Sequence, residues 1–184
     1  IAAGPVVLGW VLDPRGADAL APVPVLLREG VALAGLWREA GASGPPPALA
    51  AAAAGTGTLS LPGDADGLVR RVPLFVGAGG ELRPGLALEA ARVAAGASGY
   101  LLSADPPRLI FGSGSRPLPP DGMLRLLPVA APLPVIPASA LLQGGADLAL
   151  LAGAVVVIGG SAPELGALRA SAQDPLTPSA LLQL

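Results

Sequence analysis

The chain has 184 residues, enough for one domain with a buried core, and 13% of them are charged against the usual share of about 25%. It contains no histidine, cysteine or lysine, which excludes Ser–His–Asp catalysis, thiol nucleophiles, disulfides, histidine- or thiolate-based metal sites and the lysine-dependent phosphate loop. A net charge of -2 without a basic stripe excludes nucleic acid as a partner.

In chain order, Val6 to Leu12 is a continuous apolar run rich in valine and predicts a buried strand. Asp13 to Pro22 reads as a polar, proline-bearing loop. Val23–Leu27 and Val31–Leu36 flank Glu29-Gly30 and predict a hairpin, followed by the breaker cluster Gly41 to Pro47. Ala48 to Ala54 predicts a short helix with Pro47 in its first turn and Gly55 ending it. Thr56 to Leu61 predicts a strand, Gly63 to Gly67 a turn, and Leu68 to Val76 the next strand. Gly77 to Gly80 then leads to Pro84, which opens a helix through about Ala95. Its spacing places Leu86, Leu88, Ala91 and Val93 on one face and turns Glu89 and Arg92 outward. Residues 97–125 alternate short apolar runs with proline and glycine and read as edge strands and loops. Ala138 to Gln143 predicts a short helix ended by Gly144-Gly145. Ala154 to Ile158 predicts a second buried strand, and Pro178 to Leu184 the start of a helix.

Strands alternating with helices, two of them uniformly apolar, predict an α/β fold: a mixed, partly parallel sheet with helices on both faces. No internal repeat or linker divides residues 1–184, so one domain is expected. No signal peptide or membrane span is legible. The apolar run Leu148 to Ala162 falls short of the ~20 residues a spanning helix needs and is interrupted by Gly153, Gly159 and Gly160.

Chemistry-bearing residues are few. Asp64 and Asp66 form the closest carboxylate pair. The stretch reads either as a turn, with Asp side chains accepting backbone N–H bonds and Gly67 supplying a positive φ, or as a cation or proton site. A calcium loop is disfavoured, because arginines follow where further oxygen ligands are needed. Arg70 and Arg71 are adjacent in a predicted strand and so should point to opposite faces; either one meets a carboxylate, Asp64 or Asp66, and neutralises the turn, or one forks onto an anionic ligand. Gly159, Gly160 and Ser161 follow a predicted strand; if a helix starts there, its free N–H groups would suit an anion, and otherwise the glycines permit a tight crossover. No catalytic residue, metal ligand or cofactor is expected.

Several of these segments together resemble the CHASE type 2 family of extracellular sensory domains associated with bacterial cyclases and histidine kinases. Asp64 to Leu74, DADGLVRRVPL, is similar to the family's D-x-D-G-x-x-R-x-x-P-L core at Asp64, Asp66, Gly67, Arg70, Pro73 and Leu74. Ala48 to Leu61 resembles its alanine-rich helix, glycine and strand; Pro84 to Ala95 resembles the helix that follows; Pro134 to Leu142 and Val155 to Gly159 resemble its closing elements. Two positions depart from the pattern. Gly166-Ala167 stands where the family often has an aspartate, and Ser179 and Gln183 stand where it tends toward glycine and histidine. The family's N-terminal strands are not matched, so the chain is expected to be incomplete at its N-terminus.

The resemblance implies a periplasmic sensory input domain that relays an unknown chemical or physical signal. Membrane helices and a cyclase, kinase or diguanylate cyclase output domain are expected outside this chain. A homodimer is compatible with that role. The alternative is a ligand-free dimerisation or scaffold module. An enzyme working through Asp64, Asp66 or Glu164 is the third and weakest reading.

Overall fold

Short apolar runs cut by glycine and proline give many brief strands rather than a few long ones. The computed structural model describes residues 4–18, 20–127, 133–165 and 168–184. Its elements run β1 (Val7–Leu12), β2 (Val25–Leu27), β3 (Arg38–Glu39), β4 (Ala42–Ser43), α1 (Pro47–Ala52), β5 (Gly55–Thr58), β6 (Arg71–Pro73), β7 (Phe75–Ala78) and β8 (Glu81–Pro84). There follow α2 (Leu86–Ala94), β9 (Tyr100–Ala104), β10 (Pro107–Phe111), β11 (Gly114–Pro117), β12 (Met123–Arg125), α3 (Ala138–Leu142), β13 (Leu168–Arg169) and β14 (Thr177–Pro178). Turns of 3-10 helix cover Leu148–Leu151, Pro163–Leu165 and Leu181–Gln183.

The mixed α/β architecture with parallel pairs is present, spread over several short sheets. β1 runs parallel to β5 and antiparallel to β4; β2 runs parallel to β9 in the sheet β11-β10-β9-β2; β3 runs parallel to β7 in the sheet β3-β7-β8. β12 pairs with β6, and β13 with β14. Among the described residues, no helix is long and apolar enough to cross a membrane.

β7 organises the core. All four of its residues are buried, and alternation sends Phe75 to one face and Val76 to the other. Phe75 packs with Leu36, Leu88, Tyr100, Leu102, Leu109 and Leu118, while Val76 packs with Trp10, Ala42 and Ala78. Tyr100 meets Phe75 and Phe111 edge-on, with ring centroids 5.3 and 5.9 Å apart, the geometry that ring quadrupoles favour.

Several local expectations change. β1 is a strand, but only Trp10 in it is fully buried. The turn at Glu29-Gly30 exists, with Gly30 at φ +82, yet residues 31–36 form no strand. β2 instead finds the distant β9, where Val25 joins the Phe75 core. The single strand expected from Leu68 to Val76 breaks at Leu74. The N–H groups of Leu74 and Phe75 both donate to the Gly122 carbonyl, at 2.7 and 3.1 Å, so two residues face one and the strand bulges from one sheet into another. Pro84 ends β8 rather than opening a helix. Gly79 and Gly80 take φ +58 and +83 and close a β7–β8 hairpin, and Gly85 then precedes α2.

Residues 97–125 hold four strands, with β9 and β10 inside their sheet rather than at its edge. The expected buried strand Ala154 to Ile158 is absent. Val155, Val156 and Ile158 are exposed, Ile158 at 91%, and no strand among the described residues pairs with them. Near the end, Thr177–Pro178 is extended and only Leu181–Gln183 turns helically.

Candidate functional site

The Asp64 stretch folds as a hydrogen-bonded turn. Gly67 N–H donates to the Asp64 carbonyl at 2.8 Å, with Gly67 at φ +80, and the Asp66 carboxylate accepts from Leu68 N–H at 3.1 Å. The two arginines do not split across opposite faces. Arg70 precedes β6 and lies outside the pleat, so both long side chains reach the same carboxylate: Arg70 Nη1 to Asp64 Oδ2 at 3.0 Å, and Arg71 Nη2 to Asp64 Oδ1 at 2.8 Å.

Arg70 also forks onto Asp66, at 2.9 and 2.7 Å, and Arg71 reaches Asp121 at 3.0 Å. Asp121 in turn accepts from Met123 N–H at 3.0 Å. The cluster therefore laces the turn to the entry of β12. Three carboxylates against two guanidiniums leave it net negative, which repels an anion. The Arg70 fork and the Leu68 N–H hold the Asp66 carboxyl down at about 2. Arg71 and then Arg70 hold Asp64 below its ordinary value, and the same carboxylates push both arginines up.

Gly159, Gly160 and Ser161 are placed far less like a binding loop. Among the described residues only a three-residue 3-10 turn, Pro163–Leu165, follows them. Gly159 lies against Ala180, whose methyl group a Cβ would strike. Gly166 and Ala167, where the sequence departs from the family pattern, lie outside the described residues.

A second polar cluster was not legible from periodicity. Glu89, expected to face outward, is fully buried, and the Arg92 side chain is only 11% exposed. The Glu89 carboxylate accepts from Arg92 Nε at 3.0 Å, Arg92 Nη2 at 2.6 Å and the Tyr100 hydroxyl at 2.6 Å. Arg92 also donates to the carbonyls of Ala54 and Ala97. It thereby ties β5, α2 and the approach to β9 together.

The reason lies on β5, which reads Gly-Thr-Gly-Thr. Gly55 and Gly57 share one face, and a Cβ on either would overlap Glu89 Oε1 or the Leu86 backbone. The missing side chains let α2 settle close enough to bury Glu89. Pairing with Glu89 pushes the Arg92 guanidinium up; burial, then the neighbouring Glu89, push the Tyr100 hydroxyl well above its ordinary value. The one sequence signal for this site is the alternation of glycine with threonine directly before a helix carrying Glu89 and Arg92.

Beside this ion pair a groove of about 280 Å³ opens between the segment 21–24, the end of α1 and α2, with Thr56, Glu89, Arg92 and Ser98 in its lining. None of the curated proteins and none of the solved structures compared with the chain matches it. The family model of the CHASE2 domain matches residues 2–183, and the chain therefore belongs to the CHASE2 family of extracellular sensory domains found in signalling proteins.

Proposed function

We propose that the chain is the periplasmic input domain of a bacterial membrane-bound signalling protein, and that its conformation biases a cytoplasmic cyclase, kinase or diguanylate cyclase. The family match over residues 2–183 carries this reading. The chain's part is sensory rather than catalytic. The Asp64–Arg71 stretch, which resembles the family core, supports the fold: its charges are spent on one another and on the turn. A signal acts on such a domain only through a differential free energy between two of its states.

The absence of cysteine allows a direct test of placement. Ser113, exposed in the turn between β10 and β11, is changed to Cys in a full-length protein otherwise free of thiols. A membrane-impermeant thiol reagent should label it in intact spheroplasts; labelling only after lysis overturns the periplasmic placement. The relay is tested with Phe75→Ala, which opens the core. Full-length output activity should change, whereas Ser113→Ala at an exposed turn should leave it at the wild-type level; an unchanged output in Phe75→Ala overturns the relay.

A scaffold or dimerisation module is the second reading. It is favoured by the apolar side chains left exposed toward the C-terminus, among them Leu127, Val135, Leu142 and Ile158 at 72 to 91%.

A further inference from the structure

We propose that the groove over the Glu89–Arg92 pair binds a small neutral polyhydroxylated molecule of about monosaccharide size. The proposal rests on the sensory reading for its purpose and names the ligand class and the place.

Charge is the first argument. The two ionised groups in the lining, Glu89 and Arg92, cancel one another. A cationic ligand finds no open carboxylate, because Glu89 is fully buried and both its oxygens already accept bonds. An anionic ligand meets a guanidinium whose charge Glu89 has taken up.

Hydrogen-bonding capacity is the second. Four of the five N–H groups of Arg92 are engaged, two by Glu89 and two by the carbonyls of Ala54 and Ala97. The fifth, on Nη1, is left as a donor. The Thr56 and Ser98 hydroxyls, on residues that also line the groove, have no hydrogen-bond partner among the described residues. An apolar occupant would desolvate these groups without replacing their bonds to water, which is costly. A neutral molecule with several hydroxyls satisfies them and lays its carbon side against Pro22, Pro24 and Ala53.

Size is the third. A volume of about 280 Å³ equals roughly nine waters at about 30 Å³ each, room for a pentose or hexose.

The position gives binding a consequence. Residues 21–24 and Ser98 lead into β2 and β9 of one sheet, whereas Thr56 lies on β5 of another. A ligand held by both walls favours one spacing of the two sheets over another, which is what a sensor requires.

The test is calorimetric titration of the 184-residue chain with ribose, glucose and erythritol, with acetate, methylammonium and butanol as charged and apolar controls. At least one neutral probe should bind saturably, and none of the controls should. Ser98→Ala, at an exposed position that leaves folding intact, should weaken that binding about tenfold for one lost hydrogen bond. Thr56→Val, with its fold verified by circular dichroism, should do the same. No saturable binding by any neutral probe, saturable binding of a control, or affinity unchanged in both variants overturns the proposal. Because no output domain enters this measurement, its failure alongside an intact relay would remove the groove and leave the sensory function standing.

Discussion

At the scale of single residues, acidic side chains that each have an arginine three or four positions on, Asp66 with Arg70 and Glu89 with Arg92, have taken different roles. Asp64 and Asp66 stay half-open to water and hold a turn together through Arg70 and Arg71. Glu89 has left water altogether and survives there because Arg92 and Tyr100 supply its hydrogen bonds. The Asp66 carboxyl sits at about 2 in the fold against an ordinary value of 3.8, and a group depressed in this way stabilises only when ionised. Its contribution is complete above pH 3.8 and is lost as pH falls toward about 2. The urea midpoint of the wild-type chain should therefore drop across that window, and Asp66→Asn should make the drop smaller, with Asp64, also held below its ordinary value, contributing to what remains. An equal drop in both proteins would show that Arg70 does not favour the ionised form.

At the scale of elements, hydrophobic content and burial part company at Val155–Ile158. The run has the composition of a strand covered on both faces, yet Ile158 is 91% exposed. Ile158→Ser should then change the unfolding free energy by no more than about 0.5 kcal/mol. A buried isoleucine truncated in this way would cost about 2 to 5 kcal/mol, a difference that chemical denaturation resolves easily. The bulge at Leu74 is another decision made at this scale. Read alone, Leu68 to Val76 is one strand; the Gly122 carbonyl, reaching in from the turn before β12, divides it. That division lets β6 carry the Asp64 turn while β7 serves the core.

At the scale of the whole molecule, β7 joins two hydrophobic clusters that would otherwise be separate. Phe75, fully buried, touches side chains from α2, β9 and β10 through one ring. Phe75→Ala should cost about 3 to 5 kcal/mol in thermal or urea unfolding. It should lower stability in one cooperative transition, because the sheets share this core. Two separated transitions would show that the sheets fold independently.

Much of the local structure was legible in sequence, because it depends on near neighbours. The turn at Gly67, the short helix after Pro46 and the strand at Val7–Leu12 follow from residue type and spacing, and the family was legible through a resemblance that the match over residues 2–183 bears out. The long-range pairing of β2 with β9 was not legible, and neither were two nearer contacts, the hairpin of β7 and β8 and the two arginines meeting at Asp64, both of which depend on where the strand breaks at Leu74. Nor was the groove, whose lining comes from four separate stretches of chain. The sequence by itself determined the absence of histidine and thiol chemistry, the mixed α/β class and the sensory family. Only the tertiary structure decided that Glu89 goes inward, because the space it needs is created by glycines more than thirty positions away on β5.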